Sequence, residues 1–386
     1  MCANKHLSDM RIAVNTRLLL PGKLEGIGWF TAETLQRITR SHPEHEFLFL
    51  FDRPFSREFI FSGNITPLVV PPQSRHPLLW YAWFEYSLPR VLKRTGAGLF
   101  LSPDGYLSLS ADIPSLPVIH DINFMHKPEF HRWLTGKYYR HFFPRFAAKA
   151  IRVATVSEYS RNDICHTFGI SPEKTDVIYN GAGDVFTPLN GEEKADVKNE
   201  LTGGSDYFIF VGSFHERKNI CGLLRAFDSF RSETGQEVKL LLVGERMNGY
   251  NRIETTLSEM RFGSDVIFTG RREADDLRKA YGASIALVFI PFFEGFGIPV
   301  LEAMKCDVPV IASNRTSIPE VAGDAAHLVD PENNRSVVDA MIKVAADEEY
   351  RKTLIQRGAE RKNLFSWERT ADLLWKSIEA AISQKR

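Results

Sequence analysis

Phe289-Ile290-Pro291-Phe292-Phe293-Glu294-Gly295-Phe296-Gly297-Ile298-Pro299-Val300-Leu301-Glu302-Ala303-Met304 reads as the end of a buried strand, a glycine turn and the start of a helix. Ile285 to Ile290 is apolar throughout, as a strand covered on both faces requires. Pro291 ends it, and Pro299 is tolerated in the first turn of a helix over Pro299 to Lys305. Backbone N–H groups of such a turn, with the positive end of the helix dipole, form a cradle for a diphosphate. Glu294 and Glu302, with seven residues between them, stand before the turn and about two turns into the helix. Carboxylates are bidentate acceptors for hydroxyls, so this spacing suits gripping both ends of a nucleotide sugar. The bland alternative is a strand-to-helix connection with solvated glutamates.

The same strand, turn and helix alternation extends in both directions. Arg11 to Asn15, Glu46 to Phe51, Leu99 to Ser102, Ser115 to His120 and Arg152 to Val156 read as strands, with a glycine-led helix over Gly26 to Arg40. A second series runs through Tyr207 to Val211, Lys239 to Val243, Asp265 to Phe268, Ile285 to Ile290 and Val308 to Ala312. The polar segment Pro188 to Ser205 separates the two series. This pattern predicts an α/β chain with two Rossmann-like, doubly wound parallel sheets, whose ligands bind at the carboxyl ends of the strands, facing a cleft. The expected boundaries are residues 1–187, residues 188–366, and a C-terminal helix over 367–386.

Other constellations lie at strand ends. Gly212 to Asn219 opens a helix and carries Arg217 and Lys218, a planar fork beside a movable point charge, which suits a diphosphate. Arg-Lys pairs are also common on solvated helices. His120-Asp121 ends a strand of the first series: His120 is a candidate to hydrogen-bond a ligand, with Asp121 setting its tautomer, although histidines at strand ends are often structural. Gly26-Ile27-Gly28 would let backbone approach a phosphate, a weak signal by itself.

The Glu294 to Glu302 segment, with its inner Gly-Phe-Gly-Ile-Pro, resembles the signature of family 4 glycosyltransferases, which have the GT-B fold. The resemblance implies that Glu294 contacts the donor sugar, that Phe296, Gly297 and Ile298 offer backbone contacts, with Leu301 beside them, and that Glu302 contacts the ribose. The stretch around Gly212, Arg217, Lys218 and Asn219 is similar to the family's Gly…Arg-Lys-Asn motif, and His120-Asp121 to its His-Asp. Segments around Ser157, Asn180-Gly181, Ser313 to Gly323 and Trp367 are similar too, with architectural roles. Two departures stand out. Trp29-Phe30 replaces the Arg-Tyr that often follows the Gly28 loop, and Lys305-Cys306-Asp307 stands where a glycine is usual.

By the same resemblance the chain is a retaining glycosyltransferase that uses no metal and no cofactor, with Arg217 and Lys218 neutralising the leaving diphosphate. No Asp-x-Asp, the pair that other glycosyltransferases use to hold a divalent ion, occurs in the sequence. The flavour of the motifs is closest to bacterial mannosyltransferases, which implies GDP-mannose as donor and a glycan or lipid-linked acceptor. A UDP-sugar-dependent transferase, a sugar-nucleotide epimerase of the same fold and a non-catalytic nucleotide-sugar-binding protein stay open.

Bulk properties agree with this class. In 386 residues, hydrophobic residues make 44% and charged residues 25%, an ordinary globular composition. Lys plus Arg and Asp plus Glu are 48 each, so no net field favours nucleic acid, and no nucleic-acid partner is expected. Cys2, Cys165, Cys221 and Cys306 are scattered without metal spacing. Met1 to Met10 lacks a secretory apolar core, and no stretch approaches the roughly 20 apolar residues of a spanning helix. A cytoplasmic protein is expected. Trp80 to Phe84 with Arg90, Lys93 and Arg94, and Lys137 to Phe143, have the make-up either of buried helix faces or of a surface that attaches to the inner membrane face.

Overall fold

Residues with nowhere to face but the core build both sheets. Ile12, Ala13 and Val14 of β1 (Arg11–Asn15) and Tyr207, Phe208, Ile209 and Phe210 of β8 (Tyr207–Val211) are all fully buried. A fully buried side chain of this kind contributes about 1.5–3 kcal/mol, which offsets the entropy of ordering the strand. The computed structural model describes residues 9–246 and 250–384; Cys2 and most of the Met1 to Met10 segment lie outside them. It divides into two compact units, Met1–Asn180 with Trp367–Arg386, and Gly181–Ser366.

In the first unit, β2 (Glu46–Phe51), β3 (Ile65–Val69), β4 (Leu99–Ser102) and β5 (Ser115–Pro117) join β1 in the order β3-β2-β1-β4-β5, every pair parallel. β6 (Val153–Thr155) and β7 (Thr175–Val177) form a further parallel pair, which a bridge from Val118 to Ala154 connects to β5. The chain thus leaves β5 at Pro117, and His120 lies past the strand it was expected to end. In the second unit β9 (Lys239–Val243), β10 (Val266–Gly270), β11 (Ala286–Phe289), β12 (Val310–Ser313) and β13 (Ala326–Val329) join β8 in the order β10-β9-β8-β11-β12-β13. Both orders reverse direction beside the first strand of their sheet, the switch point at which doubly wound sheets hold ligands.

The unit boundary falls at Asn180/Gly181 rather than at 187/188. Residues 181–187 belong to the second unit because they are fastened there. Phe186 meets Tyr281 edge-on at 6.0 Å, and Lys305 Nζ donates to the Ala182 carbonyl at 3.1 Å and the Asp184 carboxylate at 2.9 Å. The final helix, Trp367–Ser383, packs on the Gly26–Ser41 helix of the first unit, where Trp375 stacks on His42 with ring centroids 3.6 Å apart. Thr370 Oγ1 donates to the Tyr179 carbonyl at 2.6 Å, and Ser377 Oγ donates to Asp176 at 2.7 Å.

Candidate active site

In the second unit, two chain segments that leave neighbouring strands converge. After β8 the chain turns at Gly212 and forms a short 3-10 turn over Glu216–Lys218, capped by His215, whose Nδ1 accepts from the Arg217 N–H at 3.2 Å. After β11 it runs through Phe292 and Phe293 to Glu294. The two are tied through the backbone: Phe292 N–H donates to the Arg217 carbonyl at 2.9 Å, and Arg217 Nη1 donates to the Phe293 carbonyl at 3.1 Å.

Glu294, 7% exposed, then accepts both cations. Lys218 Nζ contacts one carboxylate oxygen, and Arg217 Nη1 lies 3.0 Å from the other. Burial pushes the Glu294 carboxyl up, but Arg217 and Lys218 outweigh it and hold the group below the usual carboxylate range. Two cations face one carboxylate, so the trio is net positive. Lys218, itself 9% exposed, also lies 5.1 Å from the centre of the Phe289 ring.

The turn after Glu294 is held from β12's side. Glu294 N–H donates to Thr316 Oγ1 at 3.2 Å, and Ser317 Oγ donates to the carbonyls of Glu294 at 2.8 Å and Phe296 at 3.3 Å. Gly297, at φ +104°, caps the Ile298–Lys305 helix, whose first turn has no side-chain cap. A Cβ on Gly297 would sit 2.6 Å from Ile318 Cδ1, in a backbone conformation that L-residues avoid. Gly297→Ala is therefore expected to destabilise the unit by about 1–3 kcal/mol and to shift the turn. Unchanged melting and unchanged turnover in that variant would contradict this geometry. Phe296 packs on Phe365 with centroids 5.7 Å apart, and Leu301 is 1% exposed, so its side chain lies in the core.

Glu302 lies on the same helix and accepts from the Tyr281 hydroxyl at 2.9 Å. Burial outweighs that hydrogen bond and raises its carboxyl to about 7.

The first unit holds the remaining candidates, His120 and Gly28. His120 Nε2 donates to the Pro103 carbonyl at 2.9 Å, so this carbonyl fixes the tautomer and leaves Nδ1 as an acceptor. Asp121, expected to have that role, instead accepts from Asn123 N–H at 3.0 Å and from its side-chain amide. Burial lowers the His120 pKa, which keeps the ring neutral near neutral pH. Phe30 packs edge-on against the imidazole at 5.0 Å. Gly28 is in the first turn of the Gly26–Ser41 helix, under Leu24 and the Leu18 carbonyl, and not in a preceding loop.

Residues 191–361 match the profile described as glycosyl transferases group 1, and residues 25–182 match glycosyltransferase family 4. Each unit thus matches a glycosyltransferase model, the first the family 4 model and the second the group 1 model. It is 29% identical to the O-antigen chain mannosyltransferase B of Escherichia coli over 255 residues, covering 66% of this chain and 67% of that one. It is 27% identical to the serotype-specific mannosyltransferase WbdA of Escherichia coli over 70% of this chain, which spans only 34% of that longer relative. Among solved structures, sucrose-phosphate synthase from Thermosynechococcus elongatus superposes with a TM-score of 0.77 at 20% identity, over 96% of this chain and 100% of that one. Anabaena HepE in complex with UDP and glucose superposes with 0.75 at 16%, over 96% and 99%. These superpositions establish the GT-B fold.

Two residues that shape the site of this glycosyltransferase escaped the sequence reading. Tyr281 holds Glu302, whereas Thr316 and Ser317, which hold the turn, lie in the Ser313 to Gly323 segment read as architectural. Gly244, after β9, is the second. A Cβ there would lie 1.9 Å from the Gly212 carbonyl, so the two turns pass in backbone contact. A glycine directly after an apolar strand, as at Gly212, was the available signal.

The raised carboxyl of Glu302 has a measurable consequence in the glycosyltransferase. The folded state keeps a proton that the unfolded chain loses above its ordinary carboxyl pKa. Stability therefore falls as pH rises from about 4.5 to about 7, then levels off. Glu302→Gln removes this loss and is expected to stabilise the second unit by about 1–3 kcal/mol at pH 8 and by little at pH 4.5. A stability difference between the two proteins that is the same at both pH values would refute the assignment.

Proposed function

We propose that this chain is a retaining, metal-independent mannosyltransferase that moves mannose from GDP-mannose to a glycan or glycolipid acceptor in cell-surface polysaccharide assembly, working in the cytoplasm. The convergence of Arg217 and Lys218 on Glu294, beside an uncapped helix start, carries the reading. When the diphosphate arrives, the cations bind its oxygens and neutralise the charge that grows as the glycosidic bond breaks. Glu294 then holds sugar hydroxyls, the N–H groups of Gly297 and Ile298 meet the phosphate, and Glu302 binds the ribose.

In this reading the second unit holds the donor, and the first binds the acceptor and offers the neutral ring of His120 as a hydrogen-bonding group. The acceptor hydroxyl attacks from the face that the diphosphate leaves, through an oxocarbenium-like state, and no side chain serves as nucleophile. Because Arg217 and Lys218 supply the countercharge, turnover is expected to persist in EDTA.

The mannosyltransferase names of the relatives support mannose. A UDP-sugar donor is the second reading, favoured by the UDP and glucose bound to the structural neighbour. A panel of nucleotide sugars, scored by thermal shift and by nucleoside diphosphate release, separates them. The expected response is to GDP-mannose; a response to UDP-glucose with none to GDP-mannose would overturn the donor assignment.

A further inference from the structure

The two aromatic and basic runs of the first unit turn out to be both core and surface. Their inward faces bury Trp83, Phe84, Tyr138 and Phe143. Their outward faces expose Leu78 at 69% and Trp133 at 72%, together with Leu79, Tyr81, Tyr86 and Leu134. Exposed leucine and tryptophan cost free energy in water, and scattered single residues need no explanation, but grouped ones do.

These residues are grouped. The helical segment that starts at Pro77 packs on the Trp133–Lys149 helix: Trp80 stacks on Tyr139 at 5.7 Å, and Tyr81 lies on Phe142 at 5.9 Å. The outward stripe of the longer helix runs Trp133, Lys137, Arg140, His141 and Arg145 at helical spacing, all exposed, with Lys137 Nζ 5.0 Å from the Trp133 ring.

Charge on this face is one-sided. Residues 75–94 and 133–149 hold four Lys or Arg each in a chain whose net charge is zero. Residues 133–149 contain no Asp or Glu, and the acid in 75–94 is Glu85 alone. Its oxygens accept from the backbone N–H groups of Leu109 at 2.7 Å and Ser110 at 3.0 Å, and of the cations of the longer helix it acts on Lys149, at the end away from Trp133. Arg75, Arg90, Lys93 and Arg94 are exposed.

We infer that this face seats the protein on a lipid bilayer with anionic headgroups. Leu78 and Trp133 enter the boundary between headgroups and acyl chains, while the cations around them meet lipid phosphates. A nucleic acid would use the cations but leave the exposed leucines and tryptophan without a partner, and this favours lipid. Among the described residues no helix is long and apolar enough to cross a membrane, so the attachment is peripheral. The inference does not rest on the transfer reaction.

The test is sedimentation of the full chain with phosphatidylcholine vesicles, with and without phosphatidylglycerol. Binding is expected to the anionic vesicles at low salt and to fall as salt rises. Lys137→Ala with Arg140→Ala should weaken it roughly 30-fold, at about 1 kcal/mol per cation. Trp133→Ala with Leu78→Ala should weaken it as well, and turnover on a short soluble acceptor should be unchanged in both variants. These positions are exposed, so the fold is retained. Absence of binding to anionic vesicles at low salt would overturn the inference. So would full binding by the Trp133 and Leu78 variant together with displacement by duplex DNA, which would assign the face to a polyanion.

Discussion

Lys218→Ala is expected to lower transfer by roughly 100- to 1,000-fold, the usual loss when one preorganised group that meets developing charge is removed. Lys218 Nζ is buried against Glu294 and has no need to reorganise as the phosphate charge grows. An interaction that strengthens toward the transition state appears in kcat more than in KM, so the fall should be mainly in kcat. Arg217→Ala should behave alike, with a larger effect on KM, because its guanidinium also holds the Phe293 carbonyl. Each variant leaves Glu294 short of a cation, so melting and donor binding must be measured alongside. A variant that binds donor, melts normally and turns over near the wild-type rate would remove both residues from the mechanism.

The second large effect is on stability, in the first unit. Arg17, 6% exposed, donates from Nε to Asp104, 8% exposed, at 2.7 Å, and its guanidinium lies 4.1 Å from the centre of the Tyr106 ring. Burial alone would favour a neutral Arg17, but Asp104 more than offsets it and holds the cation. Asn15 Nδ2 donates to the other Asp104 oxygen at 2.7 Å and to Ser102 Oγ at 3.1 Å, so the pair spans the ends of β1 and β4.

Removing one partner strands a buried charge, and Asp104→Ala is expected to cost about 3–5 kcal/mol. For a unit of this size that lowers its Tm by roughly 6–20 °C. Replacing both, as Arg17→Met with Asp104→Leu, should recover most of the loss, since no charge is then left unpaired. If the double variant were as unstable as the single one, the pair would owe its effect to packing and not to charge.

What the sequence made legible follows from burial. β1, β2, β4, β8 and β9 were read to their end residues because their side chains have no polar face. β3, β7 and β13 were not read, and each is the edge strand of its sheet. Eight of their twelve residues are at least partly exposed, and β3 carries Pro67, which only an edge tolerates, so no apolar run announces them.

The candidate site divides in the same way. Arg217, Lys218 and Glu294 come together because each follows a strand that the sheet places beside the other, and their pairing with one another was not read from the motifs. The group that sets the His120 tautomer was not legible. It is a backbone carbonyl at Pro103, and a carbonyl has no signature in sequence. Leu301, taken with the donor contacts, points into the core because its helix must cover the sheet.

The central claim is that a sugar leaves its nucleotide beside Arg217 and Lys218 and joins an acceptor with its configuration kept. Proton NMR of the product from GDP-mannose and a mannose-containing acceptor tests it most directly, because the anomeric signal reports both linkage and configuration. The account predicts GDP release in step with a new glycoside that has the donor's anomeric configuration. An inverted glycoside, or an isomerised donor with no glycoside, would contradict it.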